Sequence, residues 1–295
     1  MAQESLDGWF DEGEESASRG ERDALDRSSE PSDGTAEAST ASSSHEFPER
    51  CLSFTVRGPW GHFRRVEGNV VKQTYRVIPR TTVAGLLAAV LGIGRDDYYE
   101  LFAEGASAVA IEPVSELRTL NMPMNALSTA KSDLTSLNGR GKVSVRLPNP
   151  AKLRQQHNYE VLVDPAYRVD VALADDERYR ELRETLDAGK SHYVPSLGLS
   201  EHLAEIDYHG EYAVEDGSSE GVVDVDSAVP NAVDSVVPDP GTRCQVEESP
   251  AFMETDAGGR TTTAFTAYTY NPDAGPLAVR DVETSLVDGR TVVFV

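Results

Sequence analysis

Between Gly58 and Arg65 the chain reads GPWGHFRR, so three rings (Trp60, His62, Phe63) and two guanidiniums (Arg64, Arg65) fall within six residues. Rings that lie on bases and guanidiniums that hold phosphates bind single-stranded nucleic acid without a metal or cofactor. The same residue types also build an aromatic plug at a strand end with solvated arginines, and the loop alone leaves both readings open. Arg57 precedes it, and Lys72, Tyr75 and Arg76 follow. Residues 57–80 hold six basic residues against Glu67 alone. A second basic stretch, residues 118–154, holds seven (Arg118, Lys131, Arg140, Lys142, Arg146, Lys152, Arg154) against Asp133 alone. His62 beside the arginines, and His157 near Lys152 and Arg154, with Tyr75 or Tyr159, have the chemistry for general acid/base attack by an RNA 2′-hydroxyl. Histidine and tyrosine also stack and hydrogen-bond on RNA without catalysing anything.

The two basic stretches stand out against the rest of the chain. Its 27 Lys+Arg and 50 Asp+Glu give a net charge of −23 over 295 residues. Residues 50–157 nevertheless carry 15 basic against 8 acidic residues, while residues 158–295 carry 9 against 28. A chain that uses carboxylates freely elsewhere has kept cations here, which points to a polyanion partner, RNA or DNA. Only five basic residues are Lys, and an acidic, Lys-poor, Arg-retaining composition suits a salt-rich cytoplasm. A non-halophilic acidic protein can share it.

The elements that position these residues follow from periodicity. Leu52, Phe54 and Val56 alternate with Ser53, Thr55 and Arg57, a half-buried strand ended by Gly58-Pro59. Val70–Ile78 reads as extended. Pro79, with Thr81 or Thr82 as cap, starts an apolar helix over Val83–Leu91, continued by a short helix over residues 95–104. Ser107–Leu120 reads as the second strand. Residues 121–150 are Asn/Ser/Thr/Gly-rich with scattered basic residues, too long for an ordinary hairpin loop and therefore functional or mobile. The third strand is Asn158–Val163 with its extension Tyr167–Leu173; Asp175 or Asp176 caps a helix over Glu177–Leu186, and Ile206–Val214 is the fourth strand. This predicts an α+β fold: a ferredoxin-like βαββαβ unit, the scaffold of RNA-recognition modules, over residues 50–215. Residues 216–295 read as a small acidic β-rich region. Residues 1–49, with 3 basic against 14 acidic residues, read as a disordered tail whose one sticky point is Trp9-Phe10.

Several classes are excluded by what is missing. There is no Walker, GxGxxG, HExxH or nucleophile-elbow motif. Cys51 and Cys244 stand alone, without metal-ligand spacing, so no metal or other cofactor is expected. No apolar run approaches a membrane span, and the expected compartment is the cytoplasm.

Gly58, Trp60, Phe63 and Arg64, then Tyr75, then Pro79, Thr81, Thr82, Gly85, Leu86, Leu87 and Gly92 resemble the CRISPR-associated Cas-five family, the RAMP-type subunit of type I Cascade complexes. Downstream, Tyr159–Val163 with Tyr167–Val169, and Pro195–Ala204 (PSLGLSEHLA), are similar to its type I-B branch. The resemblance covers roughly residues 51–210. It implies a haloarchaeal-like guide-RNA (crRNA) binding subunit that caps the 5′ handle in antiviral defence, with residues 121–157 as a thumb gripping the RNA. Its implied partners are the crRNA, the RAMP backbone subunit and the large subunit. In the type I-C branch such proteins cut precursor crRNA, with residue types like His62, His157 and Tyr75 here. The type I-B-like segment instead implies no catalytic residue and leaves processing to another endoribonuclease.

Overall fold

The computed structural model describes residues 48–65, 71–127, 154–256 and 259–295. The expected tail is outside these residues except at its end, and so is the part of the insertion between Leu127 and Arg154.

Strand β1 (Arg50–Arg57) places Leu52, Phe54 and Val56 in the core and Ser53 and Thr55 on the opposite face. Helix α1 (Arg80–Leu91) follows from Pro79, whose extended backbone begins the helix without a side-chain cap. The helix thus starts before the expected threonine caps, and Thr81 and Thr82 lie in its first turn. It ends at Gly92, left-handed at φ 73, where a Cβ would run into the His192 ring. Residues 95–104 form turns, not a helix.

Strands β2 (Ser107–Pro113), β3 (Arg118–Leu127), β4 (Arg154–Val163) and β5 (Ala166–Leu173) come next, then helix α2 (Asp176–Asp187) and strand β6 (Glu205–Ala213). Asp175 caps α2, its carboxylate accepting from the backbone N–H of Glu177 and Arg178. The central sheet runs β6-β1-β5-β2, with every neighbour antiparallel. Side chains of α1 and α2 join one face of it in a single buried cluster. On the other face, Cys51, Ala110 and Ala172 meet Val287 and Val292 of a short C-terminal hairpin.

Two strand expectations change. Ser107–Leu120 is not one strand: β2 ends at Pro113, buried Leu117 turns aside to donate its N–H to Pro272 O at 2.8 Å, and β3 departs separately. Nor are Asn158–Val163 and Tyr167–Leu173 one strand. Asp164, at φ 48, separates β4 from β5, and only β5 joins the central sheet. β4 instead pairs with β3 along its whole length, from Arg118 opposite Val163 to Leu127 opposite Arg154.

The C-terminal part adds a hairpin of β7 (Gln245–Asp256) and β8 (Gly259–Tyr270). Tyr268 and Tyr270 belong to the same core cluster as β1 and the two helices. Arg80 ties these parts together. It is 1% exposed; its guanidinium donates to the backbone oxygens of Phe102 (2.7 Å), Ser107 (3.1 Å), Ala251 (3.3 Å) and Val295 (3.3 Å), and lies 4.1 Å over the Phe252 ring. Burial lowers its pKa to about 10.

Candidate nucleic-acid interface

The basic loop and the extended segment after it line one edge of β4, while β3 lines the other. Trp60 and Gly61 pair antiparallel with Val163 and Leu162, and Val71 and Lys72 pair parallel with Asn158 and Tyr159. Phe63 and Arg64 form a small ladder with Tyr75 and Thr74. The residues singled out from sequence in these segments therefore come together around β4.

They do not all face outward. Trp60 is half-exposed and Arg64 exposed, but Phe63 is 2% exposed and packs in the core, 6.0 Å from the Tyr167 ring. Phe63 is a plug, not a stacking surface. Tyr75 is also buried, with the Arg65 guanidinium 5.2 Å over its ring. His62 is 1% exposed, and its Nδ1 lies 2.8 Å from Glu160 O. Because a carbonyl only accepts, Nδ1 carries the proton, and Nε2 has a lone pair with no hydrogen-bond partner among the described residues. Burial lowers the pKa of His62, the Glu160 carbonyl partly offsets this, and nearby Arg64 lowers it further. Tyr159 stands edge-on to His62 at 5.1 Å and to His157 at 6.4 Å, so the two histidines bracket one ring.

The cations divide into two groups. Arg65 faces Glu247 at 3.5 Å; Arg76 faces Glu160 at 3.2 Å and Glu247 at 4.0 Å; Arg57 pairs with Glu205 at 3.2 Å and Arg118 with Glu116 at 3.7 Å. Arg64 and Lys72 have no carboxylate partner among the described residues. Among the described residues a phosphate meets no carboxylate competitor at those two positions. Lys131, Arg140, Lys142, Arg146 and Lys152 lie outside the described residues, and Arg154 is placed only as the first residue of β4.

The segment Pro195–Ala204 holds the loop from outside. His62 N–H donates to Leu197 O at 3.0 Å, Leu197 N–H to His202 O at 2.8 Å, and Leu197 is fully buried. Gly198 has φ 88, and a Cβ there would lie 2.0 Å from His62 O. Only glycine allows this approach. His202 is 6% exposed, and burial lowers its pKa as well.

Sequence reasoning missed the organising carboxylates. Glu160 accepts from Thr74 N–H (3.3 Å), Arg76 (3.2 Å) and Thr119 Oγ1 (3.2 Å), and its carbonyl fixes His62. A lone acid in the otherwise apolar Tyr159–Val163 run was the available signal. Nothing in the acidic C-terminal region sets Glu247 apart. Among the described residues no group of three or more His, Cys, Asp or Glu is placed to hold a metal ion, and no helix is long and apolar enough to cross a membrane.

Among solved structures, the chain is similar to one in a CRISPR RNA-guided surveillance complex, at 13% identity over 78% of this chain and 91% of that one, with a TM-score of 0.44. It is also similar to a CRISPR protein from Archaeoglobus fulgidus (15% identity, 82% and 98% covered, TM-score 0.47). A third likeness is to a chain of the type III-B Cmr-beta complex bound to cognate target RNA and AMPPnP (12% identity, 78% and 86% covered, TM-score 0.41). No curated protein sequence matches. The family model of the CRISPR-associated protein (Cas_Cas5) matches residues 51–265, nearly three quarters of the chain. The chain therefore belongs to the CRISPR-associated protein (Cas_Cas5) family.

Proposed function

We propose that this chain is a crRNA-binding subunit of a type I-B Cascade surveillance complex in a halophilic archaeon, capping the 5′ handle without cutting RNA. The RAMP backbone subunit and the large subunit are its neighbours in this reading. One observation carries it. Half-exposed Trp60 and Lys72 sit along one edge of β4 and exposed Arg64 lies in the ladder with Thr74, neither cation having a carboxylate partner among the described residues; the β3–β4 ribbon beside them forms a sheet apart from the central one. A ring for a base and two cations without a carboxylate partner among the described residues, for its phosphates, are what single-strand binding needs. The order β-α-β-β-α-β over β1, α1, β2, β5, α2 and β6, with sheet order β6-β1-β5-β2, supports a ferredoxin-like unit, and the ribbon fits the thumb. Trp60→Ala should weaken RNA binding by about 1–3 kcal/mol. Arg64→Gln or Lys72→Gln should each flatten the dependence of log affinity on log salt by about 0.7. RNA binding unchanged in all three variants would contradict the site.

A metal-independent endoribonuclease is the second reading. It is favoured by the row His62, Tyr159, His157 and by a lone pair on His62 Nε2 that has no hydrogen-bond partner among the described residues. Against it, that lone pair is buried where a 2′-hydroxyl has no access. Purified chain mixed with repeat-containing precursor RNA should give no cut, with or without EDTA. A single cut leaving a 2′,3′-cyclic phosphate, slowed roughly 10²–10⁴-fold by His157→Ala or His62→Ala, would replace the capping reading with the nuclease one.

A further inference from the structure

Binding RNA does not by itself require carboxylates inside the cationic site, yet this site has two. Glu247 reaches in from β7 with its side chain 5% exposed. Its Oε2 accepts from the N–H of Arg76 (2.6 Å) and Val77 (3.2 Å), while Oε1 faces the guanidiniums of Arg65 and Arg76. Burial raises its pKa, and the two amides and two guanidiniums oppose that rise. Glu160 holds Arg76 from another side. The side chains of Arg65 and Arg76 remain 33% and 30% exposed, so they reach solvent while their charge is countered from within.

A carboxylate at this distance cancels much of a guanidinium's field and occupies donors that a phosphate would use. We infer that Glu247, backed by Glu160, is a built-in counter-anion that competes with RNA phosphate for Arg65 and Arg76. The inference rests on the RNA-binding reading. With those two charges countered, long-range attraction falls to Arg64, Lys72 and the insertion, and an arbitrary polyanion gains little at Arg65 and Arg76. An RNA that also fits the stacking and shape contacts can displace the carboxylates and use them. Glu247 is thus a specificity-determining residue that need not touch RNA.

Glu247→Gln in the full chain removes the charge and keeps an oxygen for the Arg76 and Val77 amides. The probes are a uridine homopolymer and the RNA that copurifies with the chain, each titrated over a series of KCl concentrations. With the homopolymer, freeing one or two guanidiniums should steepen the slope of log affinity against log salt by about 0.7–1.4. Homopolymer affinity should rise more than affinity for the copurified RNA. Adding Arg65→Gln and Arg76→Gln should return the slope to the wild-type value, and melting temperature checks that each variant is folded. A wild-type slope in folded E247Q, or weaker homopolymer binding by it, overturns the inference and leaves the RNA reading standing. If the wild-type chain binds neither probe, the RNA reading fails and this inference with it.

Discussion

Neighbouring residues of similar type take opposite roles here because the chain changes ladders between them, Trp60 pairing with Val163 and Phe63 with Tyr75. Trp60 lies half-exposed at an edge and Phe63, three residues on, is sealed in the core. Phe63→Ala should therefore lower stability by about 3–5 kcal/mol in a denaturant titration, with RNA binding per folded molecule little changed. Equal RNA loss in folded Phe63→Ala and Trp60→Ala would show that both rings meet RNA. Arg80 is a sharper case, since its removal strips donors from four backbone oxygens. Arg80→Ala should cost about 3–5 kcal/mol. Arg80→Lys, a point charge without the planar fork, should recover only part. The buried histidines add a pH dependence. His62 and His202 are both held below the ordinary value of 6.5, so the unfolded chain takes up these protons at higher pH than the fold does. Their contribution is complete above about pH 6.5 and is lost as the pH falls through their lowered values. Buried Glu247, with a raised pKa, acts with the opposite sign in the carboxylate range. Melting temperature should drop on acidification below 6.5, and His202→Gln should flatten the drop; an identical profile in that variant would count against this account.

At the scale of elements, periodicity was a good guide for four elements with one face in the core, though not for residues 95–104, which form turns around buried Phe102. β1, α1, α2 and β6 lie within a few residues of where alternation and capping put them, because burial of one face is a local property of the sequence. It failed at Ser107–Leu120 and Asn158–Leu173, where apolar alternation runs on while the chain changes partners. After Pro113 the chain is held at Leu117 by Pro272, and before Asp164 it pairs with β3, both contacts distant in sequence. The site was half legible for the same reason: the basic loop is local, but Glu160 and Glu247 reach it across roughly a hundred and more residues. The latch over the loop can be tested directly. Gly198→Ala must resolve both φ 88 and a 2.0 Å approach to His62 O, so it should cost at least about 2 kcal/mol and release the loop. Hydrogen exchange at His62 and Phe63 should rise before that of α1; uniform protection in the variant would deny the latch. Replacing residues 128–141 with a short Gly/Ser linker should leave β3 and β4 paired and the core folded, while the grip on RNA weakens.

For the whole molecule, charge and core divide the labour. The acidic C-terminal region contributes Tyr268 and Tyr270 to the main core and Glu247 to the basic cluster around Arg65, so it both stabilises the fold and organises those cations. On the proposed reading, counterion release contributes less in strong salt, and stacking, hydrogen bonds and subunit contacts carry more of the binding. The most direct measurement is to purify the tagged full-length chain from its own cells in high salt and sequence the RNA that stays bound. The account predicts short RNAs of many different spacers that share one defined 5′ end, recovered with other complex subunits, and lost when Trp60, Arg64 and Lys72 are replaced together. Recovery of no RNA, or of RNA with scattered 5′ ends, would contradict it.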